Sequence, residues 1–194
     1  MTSTSRWRSE IAMLRASFVA PLLFLVSMTI AEADSETVPD PDSVKRFEFL
    51  SQNGNSSCAR AFKDSIADLP SSARLQGSCC GEMSLHRYSE QIEGLKDYKD
   101  ISDIPPDPYD VEAKLAQKLM AAYQTPLDAE GQERYDLALA TSEEKGPCCC
   151  QCWRWEVFGG LGKLLIQEHG FTGAQVAEVW NLSHGCGGDA HLHN

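Results

Sequence analysis

No segment of the 194 residues combines the length and apolarity of a membrane-spanning helix. The longest uncharged stretch, Ala16 to Ala31, has 16 residues and is interrupted by Pro21, whereas a span needs ~20. Membrane attachment is expected only if this N-terminal segment stays uncleaved. Basic charge is scarce: 17 Lys and Arg face 28 Asp and Glu, for a net charge of −11. Such a field repels phosphate backbones and excludes nucleic acid as a partner. Strand signals and internal repeats are nearly absent, which leaves helices to build the fold. The five histidines, at 86, 169, 184, 191 and 193, have no GxSxG or similar nucleophile motif beside them. No catalytic residue is therefore assigned, and a binding role is preferred to an enzyme.

Residues 1–33 carry the three parts of a secretory signal. Arg6, Arg8 and Arg15 supply a positive start, Ala16 to Ala31 the apolar middle, and Ala31-Glu32-Ala33 a small-x-small cleavage site. Cleavage after Ala33 leaves 161 residues, enough for one domain with its own core. No cysteine sits at the cleavage point, so a lipid-modified N-terminus is not indicated. The mature chain is expected to be secreted or otherwise extracytoplasmic, at a periplasm or cell surface.

Residues 34–44, with two Pro-Asp pairs, read as a flexible acidic leader. A helical domain is expected over 45–184. A short helix runs through Ala59, Phe62 and Ile66, and a second spans about Glu82 to Leu95. After an irregular connector, Asp110 caps a helix whose Val111, Leu115, Leu119 and Tyr123 repeat at helical spacing. Thr125-Pro126 opens the next helix as cap and first-turn proline. The strongest segment runs from Gln151 to about Glu168 and stops at Gly170. Its Gly159, Gly160 and Gly162 lack the preceding strand of a phosphate loop, so close helix packing is the better account. Thr172 and Gln175 form a capping box for a last helix through Val176 and Trp180. The expected fold is all-α, a small helical bundle with irregular Cys-rich connectors. A Gly/His-rich tail, 185–194, should be loose unless something ties it down.

The chain is rich in cysteine, with eight, all beyond the signal. An even number in an exported protein suggests disulfides. Crowding argues against that alone: Cys79-Cys80 are adjacent, and Cys148, Cys149, Cys150 and Cys152 share five residues, leaving Cys58 and Cys186 apart. Neighbouring Cα atoms lie about 3.8 Å apart, too close for an ordinary bridge. If Pro147 begins the helix, Cys148, Cys149 and Cys152 share a face; if the segment is extended, Cys148, Cys150 and Cys152 do. Either way three thiolates converge, which suits Cu(I) or Zn(II). His184, Cys186, His191 and His193 are further candidate ligands. Cys79 and Cys80 (with His86 nearby) and Cys58 are additional ligands or disulfide partners. The spacing is not that of a zinc finger.

The run Pro147-Cys148-Cys149-Cys150-Gln151-Cys152 resembles the motif of the PCYCGC-motif proteins, which are exported or lipid-anchored in bacteria. Pro147, Cys148, Cys150 and Cys152 match, while Cys149 stands for the tyrosine and Gln151 for the glycine. Tyr135 to Ala138 is similar to a segment preceding that motif, and Gly170 to Val179 to its closing helix. The likeness covers roughly the last 60 residues, and the family's later cysteines have no counterparts. It implies export and a metal role, without an activity.

Three functions remain open. The first is an exported protein that binds or handles a soft or borderline metal ion, copper or zinc. The second is a disulfide-stapled binding or structural module. The third is a thiol–disulfide oxidoreductase using Cys149 and Cys152, a CxxC spacing here outside the usual βαβ setting.

Overall fold

Asp40 accepts the backbone N–H of Ser43 and stands before Pro41, a cap and first-turn proline that together start helix α1, Pro41–Gln52. The computed structural model describes residues 40–187. The signal and residues 34–39 lie outside these, as do His191 and His193. The end of the expected acidic leader, 41–44, is thus helical: its proline and aspartates nucleate a helix instead of preventing one.

The chain continues through α2 (Arg60–Ser65), β1 (Arg74–Gln76), α3 (Leu85–Leu95), β2 (Asp110–Glu112), α4 (Ala113–Tyr123), α5 (Ala129–Thr141), α6 (Trp153–His169) and α7 (Gly173–Ser183). The fold is mainly α, as expected. A two-stranded antiparallel sheet, with Leu75 opposite Val111, is added to it. Asp110 is therefore in a strand and caps nothing. Its carboxylate is taken by Arg46 and Arg74, with Arg74 Nε 2.5 Å from Oδ1. Thr125-Pro126 likewise yields to Asp128, whose side chain accepts the Gly131 N–H at 2.7 Å and caps α5.

Helix α6 is the central element, and eleven of its seventeen residues are buried. No single apolar stripe distinguishes it because neighbours cover it on several sides. Gly160 lets α4 approach: a Cβ there would lie 2.8 Å from the Leu119 carbonyl carbon and 2.9 Å from Tyr123 N. Gly162 lies under Trp180, whose indole N–H donates to Phe158 O at 2.7 Å. The helix ends at Gly170 with φ 68°, a left-handed conformation that glycine adopts without a Cβ clash. Thr172 and Gln175 then form both halves of the capping box of α7. A second, smaller apolar group joins Leu50, Tyr88 and Tyr109, linking α1 and α3 to the connector before β2.

Candidate metal centre

Four irregular segments bring the cysteines to one place. Cys58 lies between α1 and α2, Cys79 and Cys80 follow β1, Cys148–Cys152 join α5 to α6, and Cys186 follows α7. Each segment is pinned by its own bonds. Trp153 Nε1 donates to Ser56 Oγ at 3.1 Å, holding the Cys58 segment against α6. Ser142, fully buried, accepts the Gly146 N–H at 2.8 Å and shapes the turn before Cys148. The N–H groups of Cys79 and Gly81 donate to Gly185 O (3.3 Å) and Cys186 O (2.8 Å). The first residues of the tail, Gly185 to Gly187, are thereby tied down and buried.

The cysteine-rich turn is neither of the expected geometries. Helix α6 begins only at Trp153, with Cys152 at the cap, so Cys148–Cys150 precede the helix. The segment is bent, with the Cys152 N–H donating to Cys150 O at 2.8 Å, and it sends its sulfurs in different directions. Cys150 meets Cys58 (3.4 Å) and Cys80 (3.6 Å), while Cys148 and Cys149 meet Cys186 at 3.0 and 2.8 Å. Cys58 lies 3.0 Å from Cys80. Cys79 joins the two ends, 3.7 Å from Cys80 and 3.9 Å from Cys152, which lies 4.0 Å from Cys148. All eight sulfurs thus form one connected cluster.

Three four-sulfur sets within it have every sulfur within 4.8 Å of the others: Cys58/79/80/150, Cys79/148/150/186 and Cys80/149/150/186. Cys150 belongs to all three. A tetrahedral ion with Zn–S bonds of ~2.3 Å places its sulfurs about 3.8 Å apart, within the range of contacts seen here. No disulfide bond joins any two of the eight cysteines in the structure. Cys148, Cys152 and Cys186 are buried, Cys58, Cys79 and Cys150 intermediate, and Cys80 and Cys149 exposed.

Proton sharing follows from this crowding. Hydrogen bonds from Cys148, Cys152 and Cys186 hold Cys79 far below the ordinary thiol value against the cost of burial, with the Arg154 charge acting in the same direction. Cys148 is correspondingly pushed up, first by its bond to Cys152. Burial raises Cys80 to about 12. Cys152 stands at about 11: a bond to Cys148 pulls it down, and Cys79 and burial push it further up.

Not every candidate ligand joins the cluster. His184 is buried, but its Nε2 lies 3.0 Å from Arg87 Nη2 and 3.9 Å from Glu143 Oε2, and the four-sulfur sets do not include it. His86 is exposed and faces Glu90 at 3.3 Å. The CxxC pair is split, since Cys149 meets Cys186 and Cys152 meets Cys148 and Cys79.

One neighbour of the cluster escapes a reading of cysteine spacing. Arg154 is fully buried, and its guanidinium donates to Pro108 O (2.6 Å) and Gly77 O (2.9 Å) beside the rings of Trp153, Tyr109 and Phe158. Its sequence signal is a charge between Trp153 and Trp155, two residues after Cys152. No family model matches the chain, and no curated protein or solved structure matches it either.

Proposed function

We propose that this is an exported protein that binds several soft or borderline ions, Cu(I) or Zn(II), in one polynuclear thiolate cluster built from all eight cysteines. The observation that carries the reading is the sharing of sulfurs: Cys150 belongs to three four-sulfur sets, and Cys79, Cys80 and Cys186 to two each. Separate mononuclear sites would divide the sulfurs, whereas overlapping sets call for bridging thiolates. The donor atoms are all sulfur, which favours soft ions over calcium or magnesium. Export rests on the signal of residues 1–33, and the likeness to the PCYCGC-motif proteins points the same way. In an oxidising compartment, bound metal would keep the crowded thiols from oxidation.

A disulfide-stapled module is the second reading, since Cys149 lies 2.8 Å from Cys186 and Cys58 3.0 Å from Cys80, close pairs that oxidation would join without bridging adjacent residues.

The test is metal retention by Cys150→Ser beside Cys149→Ser in the full chain. Loss of Cys150 should remove at least one ion and weaken those remaining, while loss of the exposed Cys149 should cost less. Unchanged metal content in Cys150→Ser would contradict a shared cluster.

A further inference from the structure

The eight sulfurs are not equally placed. Cys80 and Cys149 are exposed, Cys148, Cys152 and Cys186 are buried, and Cys58, Cys79 and Cys150 lie between. Each exposed thiol faces a less exposed one on another segment: Cys80 lies 3.0 Å from Cys58, and Cys149 2.8 Å from Cys186. The sulfurs of a disulfide are about 2.05 Å apart, so either pair closes by a shift of about 1 Å. Other pairings are disfavoured. Cys148 lies 3.0 Å from Cys186 but is buried. Cys150 is farther from Cys58 and Cys80, at 3.4 and 3.6 Å. Cys79 and Cys80 are neighbours in sequence with sulfurs 3.7 Å apart, a poor start for a bridge.

The four remaining thiols also belong together. Cys152 lies 3.9 Å from Cys79 and 4.0 Å from Cys148, and Cys79, Cys148 and Cys150 lie within 4.8 Å of one another. These spacings are close to the ~3.8 Å edge of a zinc tetrahedron with ~2.3 Å bonds.

We propose that the cluster has a second, oxidised state, in which peroxide joins Cys58 to Cys80 and Cys149 to Cys186 while Cys79, Cys148, Cys150 and Cys152 keep a single ion. The inference rests on the cluster reading above and adds its redox regulation. Every four-sulfur set loses a member to the bridges: Cys58 and Cys80 from the first, Cys186 from the second, and Cys80, Cys149 and Cys186 from the third. Oxidation therefore discharges all ions but one. In each pair the exposed thiolate attacks one peroxide oxygen, forming a sulfenic acid and releasing hydroxide. The partner thiolate then attacks that sulfur and displaces a second hydroxide. The two thiolates lose two electrons to the peroxide, and two solvent protons convert the hydroxides to water. The bridges tie the Cys58 segment to the one after β1, and the turn before α6 to the segment after α7, so the discharged chain keeps its joins.

The experiment loads the full mature chain with zinc under reducing, oxygen-free conditions, removes the reductant, and adds one hydrogen peroxide for each of the two pairs. Native mass counts the retained ions. Free thiols are then alkylated under denaturing conditions and located by peptide mapping. Zinc should fall to one per chain, and the alkylated residues should be Cys79, Cys148, Cys150 and Cys152. A Cys80→Ser/Cys149→Ser chain, which lacks both exposed thiols, should release its zinc more slowly than the wild type. A main product with a bridge to any of the four inner cysteines, loss of every ion, an unchanged zinc count, or release from the double variant at the wild-type rate would overturn the proposal. A reduced chain that retains no more than one ion before peroxide is added would instead refute the cluster reading, and the same map made on the metal-free chain would still decide the pairing.

Discussion

Gly160→Ala is the sharpest test of why three glycines interrupt the strongest helix. In an exposed helix the change would stabilise by ~1 kcal/mol, because alanine is the better helix former. Here the new Cβ would lie 2.8 Å from the Leu119 carbonyl carbon and 2.9 Å from Tyr123 N, and closer still to the Leu119 oxygen. All three are backbone atoms of α4, so no rotamer change relieves the overlap; α4 must move away from α6. That movement opens the packing around Leu119, Val157 and Leu161, all fully buried. Overpacking of this kind costs about 3 kcal/mol or more, so the net loss is about 2 kcal/mol after the propensity gain. For a domain of this size the midpoint should fall by about 4–8 °C. Urea and thermal unfolding of the reduced, metal-free protein would measure it. A variant as stable as the wild type, or stabilised, would refute the close-approach account.

Further predictions concern the last helix and the metal. Thr172→Ala removes the hydroxyl that accepts the Gln175 N–H and should cost about 1 kcal/mol, read as a lower urea midpoint. Metal affinity should fall steeply in acid. Cys80 and Cys152, raised to about 12 and 11, hold their protons throughout the neutral range in the metal-free chain, and metal must displace them. The loaded state therefore binds fewer protons, so affinity rises with pH and is lost as pH falls. At one proton per ion, chelator competition at pH 7 and pH 5 should differ about 100-fold; equal affinities would contradict thiolate ligation.

Local signals proved legible where the competing partners were also local. Thr172 and Gln175 are three residues apart and bond only each other's turn, and Gly170 follows the helix it ends. Asp110 misleads because Arg46 and Arg74, distant in sequence, compete for its carboxylate. Asp40-Pro41 reads as acidic linker by composition, although the same pair is a sound helix start once α1 has Leu50 to bury. Pro147 does not begin α6, since the turn before Trp153 is shaped by sulfur contacts and by Ser142. Crowding at 148–152 pointed to the centre, but spacing could not reveal that Cys58, 92 residues from Cys150 in sequence, would meet it. That convergence depends on four irregular segments meeting where α6 begins.

The shared thiolate cluster can be read from the intact mass of the mature protein, purified without oxidation and recorded under native and then denaturing conditions. A polynuclear cluster should give a native mass carrying more than one zinc or copper ion per chain, and a denatured chain with eight free thiols. A native mass without metal, together with a denatured mass lowered by complete disulfide formation, would contradict it.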